Sequence, residues 1–95
     1  MTDQPAAASD REAIEREVSS FLEERLKTPV EPGQDLFADG LVTSMFAMEL
    51  VVKLEQSFDV SIVGSDLKLD NFRSVDLMTD LVLRLRTASS SANGT

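Results

Sequence analysis

Apolar residues recur at helical spacing in three separate segments of this chain, and no two segments alternate as a pair of strands would. Ile14, Val18, Phe21, Leu22 and Leu26 form one stripe; Phe46, Ala47, Leu50, Val51, Leu54 and Phe58 form a second; Val75, Met78, Leu81, Val82 and Leu85 form a third. Each stripe occupies one face of a helix and has to be covered by another element. The run Val60-Ser61-Ile62-Val63 has strand propensity but no second strand to pair with, so residues 59–65 read as an extended loop. The expected fold class is all-α: a small bundle of three main helices plus a short extra helical turn within residues 66–71.

Local signals set the boundaries. Ser9 stands three residues before Glu12, as in a capping box, and opens the first helix. Pro29, Pro32 and Gly33 end that helix and begin a long loop between helices 1 and 2, running to Thr43, which Leu36, Phe37, Leu41 and Val42 can anchor. The second helix spans about Ser44 to Phe58. Ser74 is the expected N-cap of the last, which runs to about Arg86 with Arg84 and Arg86 complementing its C-terminal dipole. Residues 1–8 and 87–95 read as disordered polar tails around a single domain at 9–86.

Composition narrows the chemistry. The chain has no Cys and no His among its 95 residues, which removes disulfides, thiolate zinc, imidazole bases and cysteine nucleophiles. With no nucleophile beside a base, no phosphate loop and no metal-ligand spacing, an enzyme is not expected. Seventeen acids against nine bases give a net charge of −8, which disfavours nucleic acid and anionic membranes and favours basic protein surfaces. Met1–Ala8 lacks the pattern of a secretory signal and no apolar run approaches membrane-spanning length, so the expectation is a cytoplasmic monomer.

The stretch Asp35–Phe58 reads DLFADGLVTSMFAMELVVKLEQSF. It resembles the acyl and peptidyl carrier proteins, in which a Ser at the start of the second helix, usually in Asp-Ser-Leu, is followed by an E-L-V-x-x-L-E-x-x-F pattern. Here Ser44-Met45 stands at that position, and Glu49-Leu50-Val51, Leu54-Glu55 and Phe58 follow in the same register. The resemblance implies a 4'-phosphopantetheine arm, transferred from coenzyme A to Ser44 by a phosphopantetheinyl transferase. Acyl or aminoacyl groups would then travel as thioesters on the arm's thiol, so the reactive sulfur belongs to the cofactor. It also implies partners that load and process the cargo, with basic docking surfaces, and Thr43, Met45, Glu49, Glu55 and Leu41 as candidate recognition residues.

Within the family the motif points in two directions. Asp39-Gly40-Leu41-Val42-Thr43-Ser44-Met45 resembles the D-G-L-x-D-S-M of D-alanyl carrier proteins, with Thr43 where Asp is usual. Asp66-Leu67-x-x-Asp70-Asn71-Phe72-x-Ser74-Val75 resembles discrete biosynthetic carriers, and leads to the main expectation of a polyketide or mixed polyketide–nonribosomal peptide pathway, as in antibiotic biosynthesis. The alternatives are a D-alanyl or other aminoacyl carrier, or an unmodified carrier-like adaptor bundle.

The bland roles stand beside these. Ser44 is also suited to be a simple helix N-cap. Glu49, Glu55 and Asp59 suit a solvated face as well as recognition. Met48 is expected to pack and Met45 to share packing with docking. Ile62 and Val63 are expected to close the end of the bundle, with a second option of lining a cleft between the second and third helices.

Overall fold

The computed structural model describes the backbone of residues 6–93 and the side chains of residues 10–86. Three α-helices, α1 (Ala6–Leu26), α2 (Ser44–Phe58) and α3 (Val75–Asn93), are joined by a long first loop and by a second connection holding two short 3₁₀ turns, Gly64–Asp66 and Leu69–Phe72. No strand occurs among the described residues, and Val60–Val63 runs as extended loop. The expected all-α bundle is the observed one.

Both outer helices reach further than the sequence suggests. α1 begins at Ala6, which puts Ser9 inside the helix rather than at its cap, and α3 continues beyond Arg86 to Asn93. The physical reason is local: Ala6, Ala7 and Ala8 are the best helix formers, and neither Pro nor Gly interrupts residues 75–93 before Gly94. Of the expected tails, residues 1–5 and 94–95 lie outside the described residues. Because α3 is longer, Arg84 lies within it and pairs with Asp66 of the first 3₁₀ turn at 3.1 Å instead of serving the helix end.

One core joins all the elements. Ile14, Val18 and Leu22 of α1, Leu50 and Leu54 of α2, and Val75, Met78, Leu81 and Val82 of α3 are buried together with Leu36, Val42, Ile62 and Phe72 from the connections. At about 25 cal/mol per Å² of apolar area removed from water, this shared burial is the main stabilising contribution. α1 packs along α3, while the second 3₁₀ turn packs on both α2 and α3. At the α1–α3 seam Arg11 reaches Asp80 at 2.7 Å and both Asp76 and Glu15 at 3.8 Å, so one guanidinium serves three carboxylates. Ser74 caps α3 as expected, its Oγ accepting the Leu77 N–H at 3.1 Å.

A buried polar exception lies in the middle of α3. Thr79 is fully buried, and its hydroxyl has no hydrogen-bond partner among the described residues. A desolvated, unpaired hydroxyl destabilises, whereas a methyl of the same shape does not. Thr79→Val is therefore expected to raise stability by about 1 kcal/mol. In urea unfolding this appears as a higher midpoint with an unchanged slope.

Candidate functional site

The first loop delivers Ser44 to its place. α1 stops at Leu26, and Lys27 turns the chain with a left-handed φ of 61°. The Val30 N–H then donates to Glu23 Oε2 at 3.0 Å, and the Asp76 N–H donates to the Pro32 carbonyl at 2.9 Å, which ties the loop to the start of α3. Leu36 fastens its centre: the side chain is fully buried, its N–H donates to the Arg73 carbonyl at 2.7 Å, and its own carbonyl accepts from Leu41 at 3.0 Å and Val42 at 3.1 Å. Gly40, with φ of 75°, supplies the left-handed residue this return requires.

Asp35 organises the same turn. Its Oδ1 accepts the N–H groups of Phe37 at 3.1 Å and Ala38 at 3.0 Å, and its other oxygen lies 3.2 Å from Arg73 Nη1. Arg73 also holds Asp70 at 2.8 Å and lies 5.6 Å from the centre of the Phe37 ring. The Ala38 N–H has the largest influence and pulls the Asp35 carboxyl below its ordinary range; desolvation opposes it, and the Arg73 charge and the Phe37 N–H add to the lowering.

At the head of α2 the cap is Thr43, whose Oγ1 accepts the Phe46 N–H at 3.1 Å and whose carbonyl accepts the Ala47 N–H at 2.9 Å. The capping role open to Ser44 in the sequence is thus filled by its neighbour. Ser44 is the first helical residue and is exposed. The N–H groups of Ser44 and Met45 precede the first intrahelical bond and point from the positive end of the helix dipole. An exposed hydroxyl on a helix N-terminus fits an attached phosphodiester well.

The other candidates divide. Thr43, Ser44 and Met45 stand together, with partly buried Leu41 just before them as a loop anchor. Glu49, on the next turn, is paired with Arg25 of α1 at 2.6 Å, and that guanidinium lies over the stacked rings of Phe21 and Phe46. Glu55 is roughly 16 Å along the axis from Ser44 by helical rise. Its carboxylate accepts the Ile62 N–H at 2.8 Å, which fastens the extended segment after α2.

Three expectations are corrected. Met48 is 59% exposed rather than packed, because it lies on the outer face with Met45 and Val52. Val63 is exposed while Ile62 alone is in the core. The cleft beside α2, about 200 Å³ in volume, is walled by the second 3₁₀ segment rather than α3. Ala47, Met48, Val51, Leu67, Leu69 and Phe72 line it with Lys68 at the rim, and neither Ile62 nor Val63 takes part. Val52 and the exposed pair Leu67 and Leu69 were not singled out in the sequence, although Val52, seven residues after Met45, shares its helical face.

Among the described residues there is no cluster of three or more carboxylates arranged to hold a metal ion, and no helix is long and apolar enough to cross a membrane. The chain is similar to the D-alanyl carrier protein of Streptococcus sanguinis, at 32% identity over 77 residues, covering 79% of this chain and 98% of the relative. The D-alanyl carrier proteins of Streptococcus mutans serotype c and Streptococcus gordonii match over the same length at 30% identity and with the same coverage. No protein-family model matches the chain, and no solved structure matches it significantly.

Two measurements check this geometry. Thr43→Val removes the cap and is expected to cost about 1 kcal/mol in urea unfolding, whereas Thr43→Asp keeps a capping oxygen and most of the stability. Asp35 has a folded-state pKa below its ordinary 3.8, so its ionised form stabilises the fold above that pH, and the contribution is lost as pH falls through the lower folded value. Asp35→Asn should therefore melt at a lower temperature than the parent chain at neutral pH, with the difference closing in strongly acidic buffer.

Proposed function

The chain belongs to the carrier protein family, whose members are not catalysts, and on that premise we propose that it carries an aminoacyl group, D-alanine foremost, as a thioester on a 4'-phosphopantetheine arm attached to Ser44. The observation that carries this reading is the exposure of Ser44 as the first residue of α2, with the cap supplied by Thr43. The curated relatives are named for a D-alanyl cargo, which favours the aminoacyl alternative over the polyketide expectation.

In the attachment step Ser44 Oγ loses its proton and forms a bond to the phosphorus bearing the pantetheine of coenzyme A. The pyrophosphate link breaks, and adenosine bisphosphate leaves. The phosphopantetheinyl transferase supplies the base and metal chemistry; this chain supplies a nucleophile in the open and a favourable site for the product's charge. The unpaired N–H groups of Ser44 and Met45 and the helix dipole stabilise a phosphodiester there by about 0.3–1 kcal/mol. When bound, the arm contributes a thiol for reversible acylation.

Thr43 bears on the adaptor alternative. It caps α2 through its hydroxyl, as an Asp would through its carboxylate, so this departure from the Asp-Ser pattern preserves the presentation of Ser44. It also removes a negative charge from beside the incoming phosphate. The apolar cleft between α2 and the second 3₁₀ segment gives the arm or its cargo a sheltered wall one turn from Ser44.

Intact-mass measurement after incubation with coenzyme A and a promiscuous phosphopantetheinyl transferase tests the attachment. The expected outcome is the gain of one phosphopantetheine, absent from Ser44→Ala; an unchanged mass, or a gain that survives the substitution, would refute it. A second mass step with D-alanine, ATP and a D-alanine-activating ligase tests the cargo. Loading from acyl-coenzyme A donors alone would return the polyketide alternative.

A further inference from the structure

Arg73 belongs neither to the buried core nor to α3, yet parts of two connections converge on it. Its Nη1 reaches both carboxylate oxygens of Asp35, at 3.4 Å and 3.2 Å, and its Nε donates to Asp70 Oδ1 at 2.8 Å. The guanidinium carbon lies 5.6 Å from the centre of the Phe37 ring, and the backbone carbonyl accepts the Leu36 N–H at 2.7 Å. One residue thus grips three successive positions of the first loop, Asp35, Leu36 and Phe37. On its other side Asp70 belongs to the 3₁₀ turn Leu69–Phe72, whose Leu69 and Phe72 wall the cleft beside α2. The side chains of Arg73, Asp35 and Asp70 are 43%, 45% and 73% exposed, so closing the core does not account for their convergence.

We propose that Arg73 is a positioning residue for attachment of the arm: it clamps the loop that delivers Ser44 to the segment that walls the cleft, and so fixes the direction in which the Ser44 hydroxyl is offered. The proposal rests on Ser44 being the attachment residue. The path between them is short. Asp35, held by Arg73, accepts the Phe37 and Ala38 N–H groups and so forms the turn around Leu36. The Leu36 carbonyl accepts from Leu41 and Val42, which lead directly into Thr43, and the extended backbone of that cap, with φ of −103° and ψ of 169°, sets the angle at which α2 starts. An isolated exposed ion pair contributes little, but a guanidinium that spans one carboxylate, holds a second and lies near an aromatic ring is a network with directional geometry. Burial of Leu36 and Val42 already keeps the loop on the core. The clamp adds orientation to it, and a shift of about 1 Å in a reacting atom can cost about a hundredfold in rate. Arg84 supplies the contrast: it pairs with Asp66 at 3.1 Å in the same connection and has no hydrogen bond to the first loop among the described residues.

Single-turnover transfer to the full chain, with coenzyme A and a promiscuous phosphopantetheinyl transferase in excess, separates orientation from stability. Arg73→Met is expected to lower the maximal rate about tenfold while the half-saturating transferase concentration moves by less than about twofold. Arg73→Lys keeps the charge but loses the planar fork, and is expected to fall between the parent and Arg73→Met. Arg84→Met removes a comparable exposed pair and is expected to transfer at the parent rate, with urea unfolding confirming that every variant folds. Because Arg73 acts through Asp35, the Arg73→Met, Asp35→Asn double variant should lose less than the product of the two single effects. A maximal rate for Arg73→Met within about twofold of the parent, an equal loss in Arg84→Met, or single effects that simply multiply would each overturn the proposal and leave attachment at Ser44 standing. A parent chain that never gains the arm would overturn both.

Discussion

Leu36 is buried completely among the three helices while its backbone bonds in both directions, to the Arg73 carbonyl on one side and to Leu41 and Val42 on the other. Residues 27–43 have no helix of their own, and a free loop of that length would leave the start of α2 without a fixed approach. Burying one leucine converts the loop into a part of the core. Its backbone groups, which have no helical partners, then find them in Arg73 and in the turn that Asp35 and Gly40 shape. The exposure of Ser44 depends on this fastening, because Val42, the last buried loop residue, sits only two positions before it.

The charges have a similar internal logic. Arg11, Arg25, Lys53, Arg73 and Arg84 each reach a carboxylate on another element, so much of the basic complement joins parts of the fold rather than facing solvent alone. Each such pair is exposed and contributes little individually, about 0–1 kcal/mol. α2, the helix that begins with Ser44, has each of its three charged side chains engaged within the fold, and exposes Met45, Met48 and Val52 beside Glu49 and Gln56.

Much of the fold could be read directly from residue spacing. The stripes Ile14–Val18–Leu22, Leu50–Val51–Leu54 and Val75–Met78–Leu81–Val82 are buried as helical periodicity requires, and Ser74 caps the helix it precedes. The helix ends were less legible, since Ala-rich and Ser-rich polar segments carry helical propensity without an apolar stripe to announce it. At the site, the position of Ser44 at the head of α2 followed from the register of the residues after it. The division of labour between Thr43 and Ser44 did not, because both hydroxyls suit a cap and only the backbone path through Val42 selects Thr43.

What the linear chain determines here is the set of helices, the placement of a hydroxyl at the head of the second, and the absence of any thiol or imidazole chemistry of its own. These are local properties, fixed by periodicity, capping chemistry and residue type. Which charges remain free, whether Met48 packs or protrudes, and which wall closes the cleft beside Ser44 depend on partners far away in sequence: Arg25 for Glu49, Glu17 for Lys53, and Leu67 and Leu69 for the cleft. Only the tertiary structure decides them, because an ion pair or an apolar contact between distant residues exists only after the core has brought their helices together.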